Sequence, residues 1–156
     1  MALTIPVHLA YAFDVKAKAD DVFAVLAHVP TSASFFPKVA RLTDLGENSY
    51  RWEMESVGTP QFNLATVYAA RYRADRANGT ITWTPIVGEG NAKVEGNWTI
   101  DQNRKSTHIE LNFSAQLQLP LPGMMKMLVT QIVVRENEKL IEQYIDQLIV
   151  RFGGEA

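Results

Sequence analysis

Few side chains in this 156-residue sequence combine the types and spacing that chemistry requires. The histidines, His8, His28 and His108, lie far apart, and none has a second histidine four residues away to complete a metal pair on a helix face. No cysteine occurs, which excludes disulfides, thiolate nucleophiles and cysteine-ligated metals together. There is no Gly-X-Ser-X-Gly elbow, Walker loop or dinucleotide fingerprint, and Gly88-Glu-Gly90 reads as a hairpin turn with no helix behind it to hold a phosphate. One carboxylate stands apart. At about 100° per helical residue, Glu136 projects between Ile132 and Leu140 inside an apolar stripe, with Asn137 beside Val133 and Tyr144. A charge there is costly unless paired or protonated, so Glu136 is the candidate general acid/base or the polar anchor of a ligand. The alternative is a stripe that drifts around the helix and leaves Arg135-Glu-Asn-Glu-Lys139 in solvent.

The remaining polar groups of interest are hydroxyls on otherwise apolar strand faces: Tyr11, Tyr50, Tyr68 and Tyr72, with Ser56 and Thr66 nearby. Each is ordinarily a core residue that sends its hydroxyl to a carbonyl or water. Taken as a set with Trp52, Met54, Trp83, Trp98 and Phe113, they make an apolar wall with a few polar tips, which is how small-molecule pockets are built. Leu128, Ile132, Glu136 and Asn137 supply the facing wall.

These residues need elements to position them, and the order of those elements is unusual. Residues 122–152 carry Met125, Leu128, Val129, Ile132, Val133, Leu140, Tyr144, Ile145, Leu148 and Phe152 at three- and four-residue steps, one face of a helix roughly 45 Å long. Nearly everything before it alternates with the period of a half-buried strand. Val7, Leu9, Tyr11, Phe13 and Val15 form the first strand. Asp20 or Asp21 caps a short helix that Pro30 stops, and a second short helix or turn carries Phe35 and Phe36. About six strands follow, punctuated at Gly46-Glu-Asn, Gly58-Thr-Pro60, Asn78-Gly79, Gly88-Glu-Gly90 and Asp101-Gln-Asn103. Pro85 marks an edge or a bulge. The expectation is an α+β chain: a curved antiparallel sheet of six or seven strands wrapped around one long C-terminal helix, with a cavity where sheet, short helices and long helix fail to close.

Length and composition agree with one domain over 1–156. A chain this long buries roughly 70% of its unfolded surface. With 15 basic and 17 acidic residues and no dense basic run, it offers no field for gathering nucleic acid. The opening Met-Ala-Leu-Thr-Ile-Pro has neither a basic start nor a long apolar stretch, so no signal peptide or membrane span is expected and the cytoplasm is the default compartment. The apolar segment Leu117-Gln-Leu-Pro-Leu-Pro-Gly-Met-Met125 reads as a packed strand-to-helix connection, with transient membrane contact as its alternative.

Phe13-Asp-Val-Lys-Ala-Lys-Ala-Asp-Asp-Val-Phe-Ala-Val-Leu26, then Phe35-Phe-Pro-Lys-Val39, Asn91-Ala-Lys-Val-Glu-Gly-Asn-Trp-Thr-Ile100 and the long terminal helix resemble the START-like, or SRPBCC, superfamily with its helix-grip fold. The turn Asp44-Leu-Gly-Glu-Asn-Ser49 is shorter than the glycine-rich loop of the pollen-allergen branch. The resemblance implies a hydrophobic cavity for a lipid, quinone, polyketide or similar apolar or amphipathic molecule, and the residues themselves lead to the expectation of no metal and no cofactor. Such a binder is the leading reading. A polyketide cyclase- or dehydratase-like enzyme working through Glu136 or an inward tyrosine is the second, and a protein-interaction module with a vestigial cavity is the third.

Overall fold

The computed structural model describes residues 3–59 and 62–156, and the side chains of 57–64 are outside the description. The predicted turn at Gly58-Thr-Pro60 therefore lies partly outside the described residues. Strand β1 (Leu3–Val15) is followed by helices α1 (Ala19–Ala27) and α2 (Val29–Ala33). Strands β2 (Val39–Gly46), β3 (Ser49–Met54), β4 (Val57–Thr59), β5 (Phe62–Leu64), β6 (Val67–Asp75), β7 (Thr80–Gly90), β8 (Ala92–Gln102) and β9 (Thr107–Leu119) follow in turn. A 3-10 turn (Gly123–Met125) then leads into α3 (Lys126–Arg151). Seven strands form one antiparallel sheet in the order β1-β9-β8-β7-β6-β3-β2, and β4 pairs with β5 in a separate hairpin. This is the helix-grip architecture.

Local chemistry sets the connections. Glu47 and Asn48 both take left-handed φ values, 53° and 60°, which is the backbone of the tight hairpin joining β2 to β3. The β7–β8 ladder runs from Thr80 opposite Thr99 to Trp83 opposite Gly96 and goes no further, so Pro85, which cannot donate to a ladder, sits just beyond it. Across the other side of β7, Tyr68 pairs with Gly90 but Ala70 with Pro85, and residues 86–89 form a wide bulge opposite Ala69. Gly88-Glu-Gly90 thus belongs to this bulged strand end rather than to a simple turn. Helix α1 is not capped by an aspartate. Its first N–H, on Ala19, donates to Oε1 of Gln102 at 2.7 Å, while Asp20 lies 3.5 Å from Arg76.

Helix α3 packs Val129, Val133, Leu140, Ile141, Tyr144, Ile145 and Leu148 into the core. The α-helix begins four residues later than the periodicity suggests. The 3-10 turn and one face of the first helical turn stand in solvent, leaving Met124 91% and Leu128 52% exposed, while Val129 and Val133 on the other face are buried. At about 100° per residue, Leu128 stands roughly 160° around the helix from Tyr144, so it belongs to the outer face and not to the stripe. Leu117 and Leu119 are buried at the end of β9, which makes the first part of the apolar connection core. No described helix is long and apolar enough to cross a membrane.

Candidate functional site

Between the sheet, α2 and α3 lies a cavity of about 60 Å³. Strand alternation places its wall: Trp52 on β3, Tyr68 and Tyr72 on β6, Ile81 and Trp83 on β7, Val94 and Trp98 on β8, and Leu111 and Phe113 on β9. Small residues stand between the large ones. Ala70 separates Tyr68 from Tyr72, and Gly96 separates Val94 from Trp98. A Cβ on Gly96 would lie 2.2 Å from the Asn112 carbonyl oxygen and 2.8 Å from Cζ2 of Trp83, so glycine is what lets the indole lie against β8. Leu26, Val29 and Ser32, Phe36 on the turn after α2, and Ile141 and Tyr144 on α3 complete the lining.

The aromatic groups form a closed circuit. Phe36 meets Trp52 at 6.1 Å between ring centroids, and the Trp52 Nε1–H donates to the Tyr72 hydroxyl at 3.0 Å. Tyr72 meets Trp83 at 5.9 Å, Trp83 meets Trp98 at 6.5 Å, Trp98 meets Tyr144 at 6.1 Å, and Tyr144 returns to Phe36 at 4.9 Å. Tyr68 stacks on Trp52 at 5.8 Å with planes 11° apart. Edge-on and tilted pairs at such distances hold one another in place by about 0.5–1.5 kcal/mol each beyond area burial.

Three tyrosine hydroxyls are the polar tips of this wall, and all are held well above the ordinary phenol range. Burial is the main cause for Tyr68, reinforced by Tyr72 and Tyr144. Burial also dominates for Tyr72, opposed by the hydrogen bond from Trp52, and for Tyr144, opposed by its bond with Ser32. At neutral pH these are hydrogen-bond donors and not bases. Tyr72 accepts from Trp52, which leaves its own O–H proton for another acceptor. Among the described residues, no charged side chain and no histidine lines the cavity.

Of the residues singled out in the sequence, Trp52, Tyr68, Tyr72, Trp83, Trp98 and Phe113 come together here. Tyr11 is half-buried on β1 outside the cavity, its hydroxyl raised by burial and then by Glu142 and Glu138. Met54 packs with Val29, Ala33 and Trp52, and Ile132 packs against the main core. Leu128 faces outward. Glu136 is half-buried on α3 away from the lining, and the Asn137 side-chain amide donates to the Val133 carbonyl of its own helix at 2.8 Å. The sequence pattern does not single out Ser32, Phe36 or Tyr144 as wall residues, nor the aliphatic part of the lining on α1, α2, the strands and α3. Tyr144 stood in the apolar stripe and carried that signal, whereas nothing local marks Ser32. The histidines are engaged elsewhere: His8 with Ser114 at 2.9 Å, His28 with Thr31 at 2.7 Å, and His108 with Asp14 at 2.8 Å. The His108 pKa is raised, chiefly by that bond to Asp14. No group of three His, Cys, Asp or Glu side chains able to hold a metal occurs among the described residues.

The sequence model described as "Polyketide cyclase / dehydrase and lipid transport" matches residues 15–142. The chain belongs to this START-like family. Its membership agrees with the fold likeness to solved structures. A START superfamily protein from Mycobacterium smegmatis is 16% identical, with a TM-score of 0.67 over 94% of this chain and 97% of that one. A protein from Thermus thermophilus is 15% identical, with a TM-score of 0.67 over 92% and 98%. An aromatase/cyclase from a Streptomyces species is 16% identical, with a TM-score of 0.60 over 92% and 89%. No curated protein matches in sequence. The family accounts for the helix-grip scaffold, a ligand-binding or cyclase-type domain. Its aromatic circuit is read from this chain's own residues.

Proposed function

We propose that this chain binds an apolar small molecule bearing a carbonyl-type oxygen, seated in the aromatic cavity between sheet, α2 and α3. The lining carries the reading: six aromatic groups in a circuit and three phenols that stay protonated, with no charge among the described lining residues. Apolar surface buried against such a wall contributes about 25 cal/mol per Å². A phenol donating to a carbonyl adds about 0.5–1.5 kcal/mol and sets its orientation. A carboxylate or ammonium ion would lose its hydration there with no counter-charge in return. Native mass spectrometry of freshly purified protein, followed by organic extraction, tests this. A reproducible neutral adduct is the expected result. A bare mass, with tryptophan fluorescence indifferent to added aromatic ketones, would overturn it.

The size of the inner space favours a second reading. About 60 Å³ is well below the roughly 300–1,000 Å³ of small-molecule pockets, as it would be in an interaction module whose cavity is vestigial. Under the enzyme reading, the phenols could give a proton, but the described cavity wall offers no group that takes one at neutral pH. Glu136 would then have to supply the base from outside the present wall. Unchanged turnover in Glu136→Gln would remove that role.

A further inference from the structure

Phe36 faces two spaces at once. On its inner side the ring closes the aromatic cavity against Trp52 and Tyr144. It also lines a surface depression of about 340 Å³, together with Ser34, Phe35, Pro37, Gln143 and Gln147. Gln143 adjoins Tyr144 in sequence and Gln147 lies about one turn further on, so one stretch of α3 edges both spaces.

We propose that Phe36 is a gate, and that when its ring swings outward the two spaces become one site for an uncharged amphipathic molecule. Its apolar end, with the carbonyl-type oxygen that the phenols meet, lies among the inner aromatics, and a second, hydrogen-bonding head lies between Gln143 and Gln147. This rests on the binder reading and deepens it. Joined, the two spaces reach the size of ordinary small-molecule pockets, which the inner one alone does not. Phe36 sits on a turn outside any helix or strand, and the ring contacts with Trp52 and Tyr144 that it gives up on swinging outward are replaced by those of the bound molecule. The Phe36 backbone N–H is fixed by the Ala33 carbonyl at 3.0 Å, so a change of side-chain rotamer leaves that bond intact. The head is uncharged because neither space has a charged lining residue among those described. A side-chain amide both donates and accepts, which suits an amide or hydroxyl head.

All three tryptophans of the chain line the inner cavity, so their fluorescence reports entry. Stopped-flow mixing with 4-butylbenzamide, and with 4-butylbenzoate as its charged counterpart, tests the gate. The amide should bind at least tenfold more tightly than the carboxylate. Phe36→Ala should raise its association rate about tenfold and Phe36→Trp should lower it. Phe36→Leu replaces the alanine variant if that fails to fold. Equal association rates in wild type and all folded variants would overturn the gate. The Gln143→Ala/Gln147→Ala double variant should lose about tenfold in amide affinity while binding butylbenzene as before. Unchanged amide affinity would overturn the placement of the head. Absence of binding by every variant would fell the binder reading and the gate together, whereas tight binding at rates indifferent to Phe36 fells the gate alone.

Discussion

Ser32 on α2 and Tyr144 on α3, 112 positions apart in sequence, share a buried hydrogen bond between their hydroxyls. Helix α2 has only five residues and no side-chain cap at its N-terminus, so little within it fixes its place. The bond to Tyr144 ties it to the longest element of the fold, and both residues line the aromatic cavity. Ser32→Ala strands a buried phenol hydroxyl and should cost about 1–3 kcal/mol in urea unfolding. Tyr144→Phe strands the serine, which can turn to its own helix backbone, and should cost less. The double variant should cost less than the two single costs added together, with a coupling of about 1 kcal/mol. Strictly additive costs would show that the two hydroxyls are not partners in solution.

Alkaline pH should unfold the protein through the same wall. Tyr68, Tyr72 and Tyr144 hold their protons above the ordinary phenol value because burial disfavours the phenolate. The folded chain therefore binds more protons than the unfolded chain once pH exceeds about 10. Their contribution to stability is complete below that pH and is lost as pH rises beyond it. Absorbance titration should show Tyr11 and Tyr50 ionising first, each raised less. The other three should follow in one cooperative step that coincides with loss of the circular dichroism signal. Smooth ionisation of all five with the fold intact would contradict the burial of these hydroxyls.

Much of the wall was legible because alternation is local. Tyr68, Ala70 and Tyr72 share a face by the period of two, as do Val94, Gly96 and Trp98, and hairpin turns such as Asn78-Gly79 announce themselves. What escaped depends on distance or on azimuth. Ser32 has no meaning until Tyr144 is brought to it. Phe36 sits on a turn, where no periodicity says which way a ring points. Leu128 looked like part of the stripe because an apolar residue three or four positions from others satisfies the pattern on either side of a drifting helix. Which face of α3 turns to the core decides its side, and that is a tertiary fact.

Gly96 should be intolerant of any side chain. An added methyl meets both the Asn112 carbonyl and the Trp83 indole, and neither is the far end of a flexible chain. Gly96→Ala must therefore spread β8 from β9 or displace Trp83. Overpacking of this kind costs about 1–3 kcal/mol, and the backbone clash puts this case at the upper end. Chemical denaturation measures the loss, and a red shift in tryptophan emission is expected because Trp83 moves from a dry wall. A variant as stable as wild type, with unchanged emission, would mean that the strands part more easily than their ladder suggests.

Asn137 separates structure from ligand contact on α3. At about 100° per residue it lies within roughly 20° of Tyr144, near the centre of the sheet-facing side, between Val133 and Ile141. Its amide is spent on the Val133 carbonyl. Bonding back to the preceding turn adds little to a helix, so Asn137→Leu exchanges a half-buried amide for apolar surface and should raise stability by about 0.5–1.5 kcal/mol. If Asn137 serves the fold alone, the gain appears in urea unfolding and the affinity for 4-butylbenzamide stays as it was. If the amide turns to a bound molecule, the same variant is stabilised yet binds at least fivefold more weakly. A loss of stability would show instead that the amide satisfies a carbonyl the helix cannot leave unpaired.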